Sequence, residues 1–249
     1  MVTERMPEMP AATASAPAAG SAAADRALRA QLLATEHWSL LATRSLSWNE
    51  SFARAGMFLT LLSGAIVALA LVAQATSFGE GFVVFALLLL PVLLVVGLAT
   101  YARLLEVNNE DLVWVAGMNR LRRAYLELAP DLERHFVTGV TEDRSGMLRT
   151  YGAVVETGGG LLHGLITTPG TIAFVNAMLA AVLAAVATIA LQTAMAPAAG
   201  LGVVVFIASF LVLYWWGYRS QRMAGLVMGR LAEALPRQGE STAPDGPAS

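Results

Sequence analysis

The chain has 249 residues, of which 56% are hydrophobic and 14% charged, with a formal net charge of −2. A soluble domain carries about 25% charged residues, so this balance points to a membrane protein, and the charge gives no footing for nucleic-acid binding. Cysteine is absent, which excludes disulfides, thiol nucleophiles and thiolate metal sites; all 16 basic residues are arginine, which excludes a phosphate-loop lysine or a Schiff base and, with abundant Ala, Gly and Val, fits GC-rich bacterial coding.

Residues 1–24 combine acidic residues, scattered proline and an Ala/Ser run without an apolar core. They read as a disordered tail rather than a signal peptide. Residues 25–50 read as a cytoplasmic amphipathic helix, with Leu28, Leu32, Leu33, Leu40 and Leu41 on one side. Ser47 followed by Glu50 spells a capping box for a new helix, and Trp48 suits the headgroup level.

Four apolar segments follow, at about 55–75, 81–102, 171–195 and 200–218, none with an interior charge. Each is close to the ~20 residues a helix needs to cross a bilayer. The links at Thr76–Glu80 and Ala196–Ala199 are short. They predict an all-α membrane protein of two transmembrane hairpins, 51–102 and 171–218, joined by a cytoplasmic helical segment. Every arginine lies before the first apolar segment, between the second and third, or after the fourth, and none at the hairpin tips, which places both termini in the cytoplasm of a bacterial inner membrane. Gly56, Thr60, Gly64 and Ala68 recur at four-residue spacing in the first span, as do Ala173, Ala177, Ala181 and Ala185 in the third. Small residues let helices approach closely, so the first and third spans are expected inside the bundle, and the second and fourth against lipid.

Residues 103–170 read as a helical stalk and loop. Arg103 to Leu128 continues the second span helically until Pro130, and a short helix is expected over 131–136. Asp111, Trp114, Val115, Met118, Arg122 and Tyr125 lie on or beside one apolar stripe of this stalk. A single chain is not expected to cover that stripe, which makes it the expected assembly surface. Asp111 and Arg122 are three turns apart and cannot pair; the helices around Arg44 and Arg222 offer partners for Asp111. Thr168-Pro-Gly-Thr171 opens the third span, with proline in its first turn. Residues 219–235 read as a further cytoplasmic helix and 236–249 as a disordered tail.

No catalytic, cofactor-binding or metal-binding residue is expected. His37, His135 and His163 share no ligand spacing, and the adjacent acidic pairs Glu110-Asp111 and Glu142-Asp143 point different ways on a helix. The spans contain only amides and hydroxyls, at Thr60, Ser63, Gln74, Asn176, Thr188, Gln192 and Ser209, whereas ion-coupled transport usually keeps a charged group there. RSLSWNES, MNRLRRAYLEL and TTPGTIAFVNAML together resemble uncharacterised four-span membrane proteins of GC-rich bacteria, over about residues 26–235. The resemblance implies the topology and no activity. The expected function is a non-enzymatic, self-associating scaffold or accessory membrane component. The alternative is an oligomeric channel or small-solute passage lined by the hydroxyl and amide side chains. The expected partners are the lipid bilayer, further copies of the chain and an unidentified membrane protein.

Overall fold

The computed structural model describes residues 16–151, 165–191 and 194–234. Helix α1 spans Ala16–Thr76 and α2 Glu80–Leu128; a 3-10 turn at Pro130–His135 and the short α3, Arg144–Tyr151, follow. Helix α4 spans Thr168–Ala190 and α5 Met195–Ala234. Among the described residues there is no strand, and four helices are long and apolar enough to cross a membrane. The chain is a multi-pass, all-α membrane protein.

Between Gly20 and Gly56 the sequence contains neither glycine nor proline, and α1 runs through this stretch into its span unbroken. The expected boundary at residue 50 is therefore absent. Ser47 lies mid-helix and caps nothing, because the chain before it never leaves the helix. Residues 16–24, expected to be disordered, are also helical; residues 1–15, the last residue of the expected helix 219–235 and the expected tail 236–249 lie outside the described residues. Ser77 and Phe78 adopt left-handed conformations, with φ of 49° and 59°, and reverse the chain between α1 and α2. The Phe78 N–H bonds the Ala73 carbonyl at 3.1 Å and the Gly79 N–H that of Thr76 at 2.8 Å, which satisfies the end of α1.

Helix α2 is the central element. It packs along α1, against α4 and, over a shorter length, against α5; α4 and α5 pack along each other, and α1 barely meets α4. This overturns the expected order of the spans: α2 lies inside, and α1 lies at the edge. Gly97 makes the centre possible. A Cβ there would sit 2.1 Å from Asn176 Oδ1 of α4 and 2.7 Å from the Phe58 ring of α1. The seam on α1 is Ala55, Phe58 and Ala65, all buried. Gly56, Thr60 and Gly64 are exposed, and nothing lies within 4 Å of a Cβ built on either glycine. Ala68 is half-buried, whereas Ala177 and Ala181 of α4 are buried as expected.

Helix α4 begins as its sequence suggests. Thr167 is its N-cap, its side chain accepting from the Gly170 N–H at 3.2 Å, with Pro169 in the first turn. Gly217 allows α5 to approach α2: a Cβ there would stand 2.7 Å from the Tyr101 hydroxyl, which donates to the Leu213 carbonyl at 2.6 Å.

Candidate functional site

Beyond their spans α1 and α2 continue side by side, and α3 folds back onto α2. Asp111 sits where the three meet, 2% exposed. Burying an isolated carboxylate is costly unless donors surround it. Its Oδ1 accepts from Arg44 Nε at 2.6 Å and from Trp48 Nε1 at 3.0 Å. Its Oδ2 accepts from Arg44 Nη2 at 3.1 Å and from the Tyr151 hydroxyl at 2.8 Å. The bidentate guanidinium is held charged by its hydrogen bond to Asp111, which outweighs its own desolvation. Burial and the Asp111 charge push the Tyr151 hydroxyl far up, so it remains a donor at any physiological pH.

A second buried polar residue lies two turns further along α2. Asn119 donates to the Thr141 carbonyl at 2.8 Å. Its Oδ1 lies 2.7 Å from Arg122 Nη1 and 2.8 Å from the Thr150 hydroxyl. Thr150 and Tyr151 thus fasten α3 to α2 through consecutive side chains. The start of α3 is fixed by Asp143, which accepts from the Thr141 and Ser145 hydroxyls and from the Gly146 N–H. These bonds depress its carboxyl to about 2, from an ordinary 3.8. A lowered folded-state value means that the cap stabilises α3 above the ordinary value. The contribution disappears as pH falls from about 4 toward about 2. Hydrogen exchange of residues 144–151 should accelerate over that window, and Asp143→Ala should give the acid behaviour at neutral pH, at a local cost of about 1 kcal/mol.

Several charges around this centre are paired. Arg103 meets Glu50 at 3.2 Å, Glu106 at 3.2 Å and Glu110 at 3.1 Å, and Arg54 meets Glu50 at 2.8 Å. Arg120 bonds Glu142 at 2.7 Å, fixing the segment that leads into α3. Burial and the nearby Arg122 lower His37, so it is neutral near pH 7. Its ring lies 6.1 Å from that of Tyr125.

The arrangement corrects the expected assembly surface. Val115 is 0% and Met118 2% exposed. Trp114, Arg122 and Tyr125 are half-buried. The chain covers this stripe itself, with the first half of α1 and with α3. The expected link from Asp111 to Arg44 is present; Arg222 instead stands over the Tyr218 ring, 5.5 Å from its centre. Trp48, expected at the headgroups, gives its N–H to Asp111. Tyr151, Thr150 and Asn119 carry no such signal in the sequence. An aspartate on an apolar stripe signals that donors are needed, but nothing in the spelling selects a tyrosine 40 residues later.

Four hydrogen bonds to its two oxygens make Asp111 the point that ties α1 and α3 to α2. Among the described residues no group of three or more His, Asp and Glu is placed to hold a metal ion. No protein-family model, curated protein or solved structure matches the chain.

Proposed function

We propose that this chain is a non-enzymatic, self-associating scaffold of a bacterial inner membrane, with both termini and the helical layer around Asp111 in the cytoplasm. The stalk stripe no longer supports self-association, since the chain buries it. The observation that carries the reading is the outward face of α1. This peripheral helix presents Gly56, Thr60 and Gly64 away from its own bundle, with open space at both glycines. The Thr60 and Ser63 hydroxyls bond the carbonyls of Gly56 and Leu59, at 2.9 and 2.8 Å, so the face carries no unmet hydrogen bond into lipid. Such a surface lets a second α1 approach to backbone distance, where dispersion can hold helices together in a bilayer. The unbroken α1 and α2 would carry that contact rigidly into the helical layer.

The lack of cysteine makes this direct to test. Single cysteines replacing Gly56 or Gly64 should give an oxidative dimer in native membranes, and Val95→Cys on the exposed face of α2 should not. A chain that stays monomeric in mild detergent and forms no cross-link at either glycine position would reject the scaffold. The arginine distribution supports the orientation. An impermeant thiol reagent applied to whole cells should label Ser77→Cys and Met195→Cys at the exposed hairpin tips and spare Ser145→Cys; the reverse pattern would invert the topology.

A further inference from the structure

The geometry points to a binding site for an anionic phospholipid headgroup on α5, formed by Trp215, Tyr218, Arg219 and Arg222. These four residues are spaced i, i+3, i+4 and i+7 and share one helix face. All four are exposed. They lie where the fourth apolar segment ends, which is headgroup depth for a spanning helix.

Each arginine is folded back onto the ring four residues before it. The Arg219 guanidinium lies 5.5 Å from the Trp215 ring centre, and that of Arg222 5.5 Å from the Tyr218 ring centre. Cation–π contact holds both charges against the apolar end of the span instead of letting them extend into water. Ring faces do not use up the guanidinium N–H donors, which remain in the plane of each group. Among the described residues neither arginine has a carboxylate within salt-bridge distance.

The neighbouring exits differ. At the same end of the spans, Arg54 and Arg103 are neutralised by Glu50, Glu106 and Glu110. The uncompensated positive charge at this face is thus concentrated on α5. The platform is also held in place. The Tyr101 hydroxyl bonds the Leu213 carbonyl, the Tyr101 and Trp216 rings meet edge to face at 5.6 Å, and Asn109 donates to the Ser220 hydroxyl at 2.7 Å. Two fixed guanidinium groups at headgroup depth match the planar, bidentate recognition of a phosphate, and the phosphates at that depth belong to lipids. A zwitterionic headgroup brings its own cation toward the arginines; an anionic one does not. The site is therefore selective for net negative lipids. It depends on the spans crossing a bilayer and is independent of self-association and of which face is cytoplasmic.

The test is native mass spectrometry of the full-length protein in mild detergent, titrated with phosphatidylglycerol or with phosphatidylcholine of the same acyl chains. Phosphatidylglycerol should be retained at about tenfold lower concentration. Arg219→Gln with Arg222→Gln should abolish the preference while thermal stability stays near that of the parent. The paired lysine substitutions should restore part of it, since charge returns without the planar fork. Arg29→Gln, on the exposed early part of α1, should leave it intact. Equal retention of the two lipids would overturn the site. So would a preference that survives the double glutamine change, or one that Arg29→Gln reduces equally.

Discussion

Replacing Asp111 with alanine should destabilise the protein by about 3 kcal/mol, read as a loss of thermal stability of the full chain in mild detergent. Breaking a buried ion pair by removing one partner costs ~3–5 kcal/mol, because the other charge is left without its counter-ion. The low end applies here. The Arg44 side chain is 29% exposed, against 3% for Asp111, so the arginine can recover some hydration. Trp48 and Tyr151 lose their acceptor at the same time, and each orphaned donor adds to the cost. Asp111→Asn should cost roughly half as much. Its amide oxygen can still accept from Arg44 Nε or Trp48, and the Tyr151 hydroxyl can turn to accept from the new amide. The cost should also be shared with Arg44. In a double-mutant cycle, Arg44→Ala in the Asp111→Ala background should cost less than in the parent, with a coupling of about 1–2 kcal/mol. A local signature should precede global unfolding. Tyr151 ties α3 to this node, so protease cleavage within α3 should accelerate in Asp111→Ala under conditions where the spans stay folded. A change within about 0.5 kcal/mol of the parent would instead make Asp111 behave as a surface residue.

The sequence makes some of this readable and hides the rest for identifiable reasons. Four apolar segments are legible because a bilayer demands length and apolarity from each span separately, with no knowledge of its neighbours. The need of Asp111 for a cation is legible for a similar reason, since a carboxylate on an apolar stripe is a local anomaly. Arg44 could be named, beside Arg222, because both lie on helical stretches that leave the spans at the same end as Asp111; the sequence does not choose between them. Tyr151 could not, since its approach depends on how residues 129–143 turn the chain. The capping box at Ser47 misled because a cap is a property of a chain end, and its spelling also occurs inside helices. The packing face of α1 misled for a geometric reason. Gly56 and Ala55 are adjacent in sequence but about 100° apart around a helix. Small residues indicate that a close approach is permitted somewhere, not which face takes it. The choice fell to Ala55 and Phe58 because α2 presents a glycine opposite the Phe58 ring, and that pairing is tertiary information.

That glycine gives the second large effect. Gly97→Ala should destabilise the protein by about 3 kcal/mol or prevent the spans from assembling. The added Cβ would stand 2.1 Å from Asn176 Oδ1 and 2.7 and 2.9 Å from Phe58 Cζ and Cε2. Overpacking a filled core costs ~1–3 kcal/mol when the neighbours can shift, and here they cannot shift freely. Phe58 is 2% and Asn176 1% exposed, and they reach the same point on α2 from two other helices, α1 and α4. Both side chains would have to give way at once. Compensation should therefore be graded. Asn176→Ala alone should be close to neutral. Its Oδ1 is buried with no hydrogen-bond partner, so removing an unsatisfied acceptor offsets the small cavity that is left. Combined with Gly97→Ala, it should recover part of the lost stability by removing the nearest contact. Adding Phe58→Leu should recover more, since the ring edge is the remaining obstacle. If Gly97→Ala melts with the parent, α2 does not touch both neighbours at this level, and the central position of α2 fails with it. If Asn176→Ala rescues completely, the Phe58 contact is slack, and α1 is held to the bundle mainly by its extension to Asp111 rather than by its span.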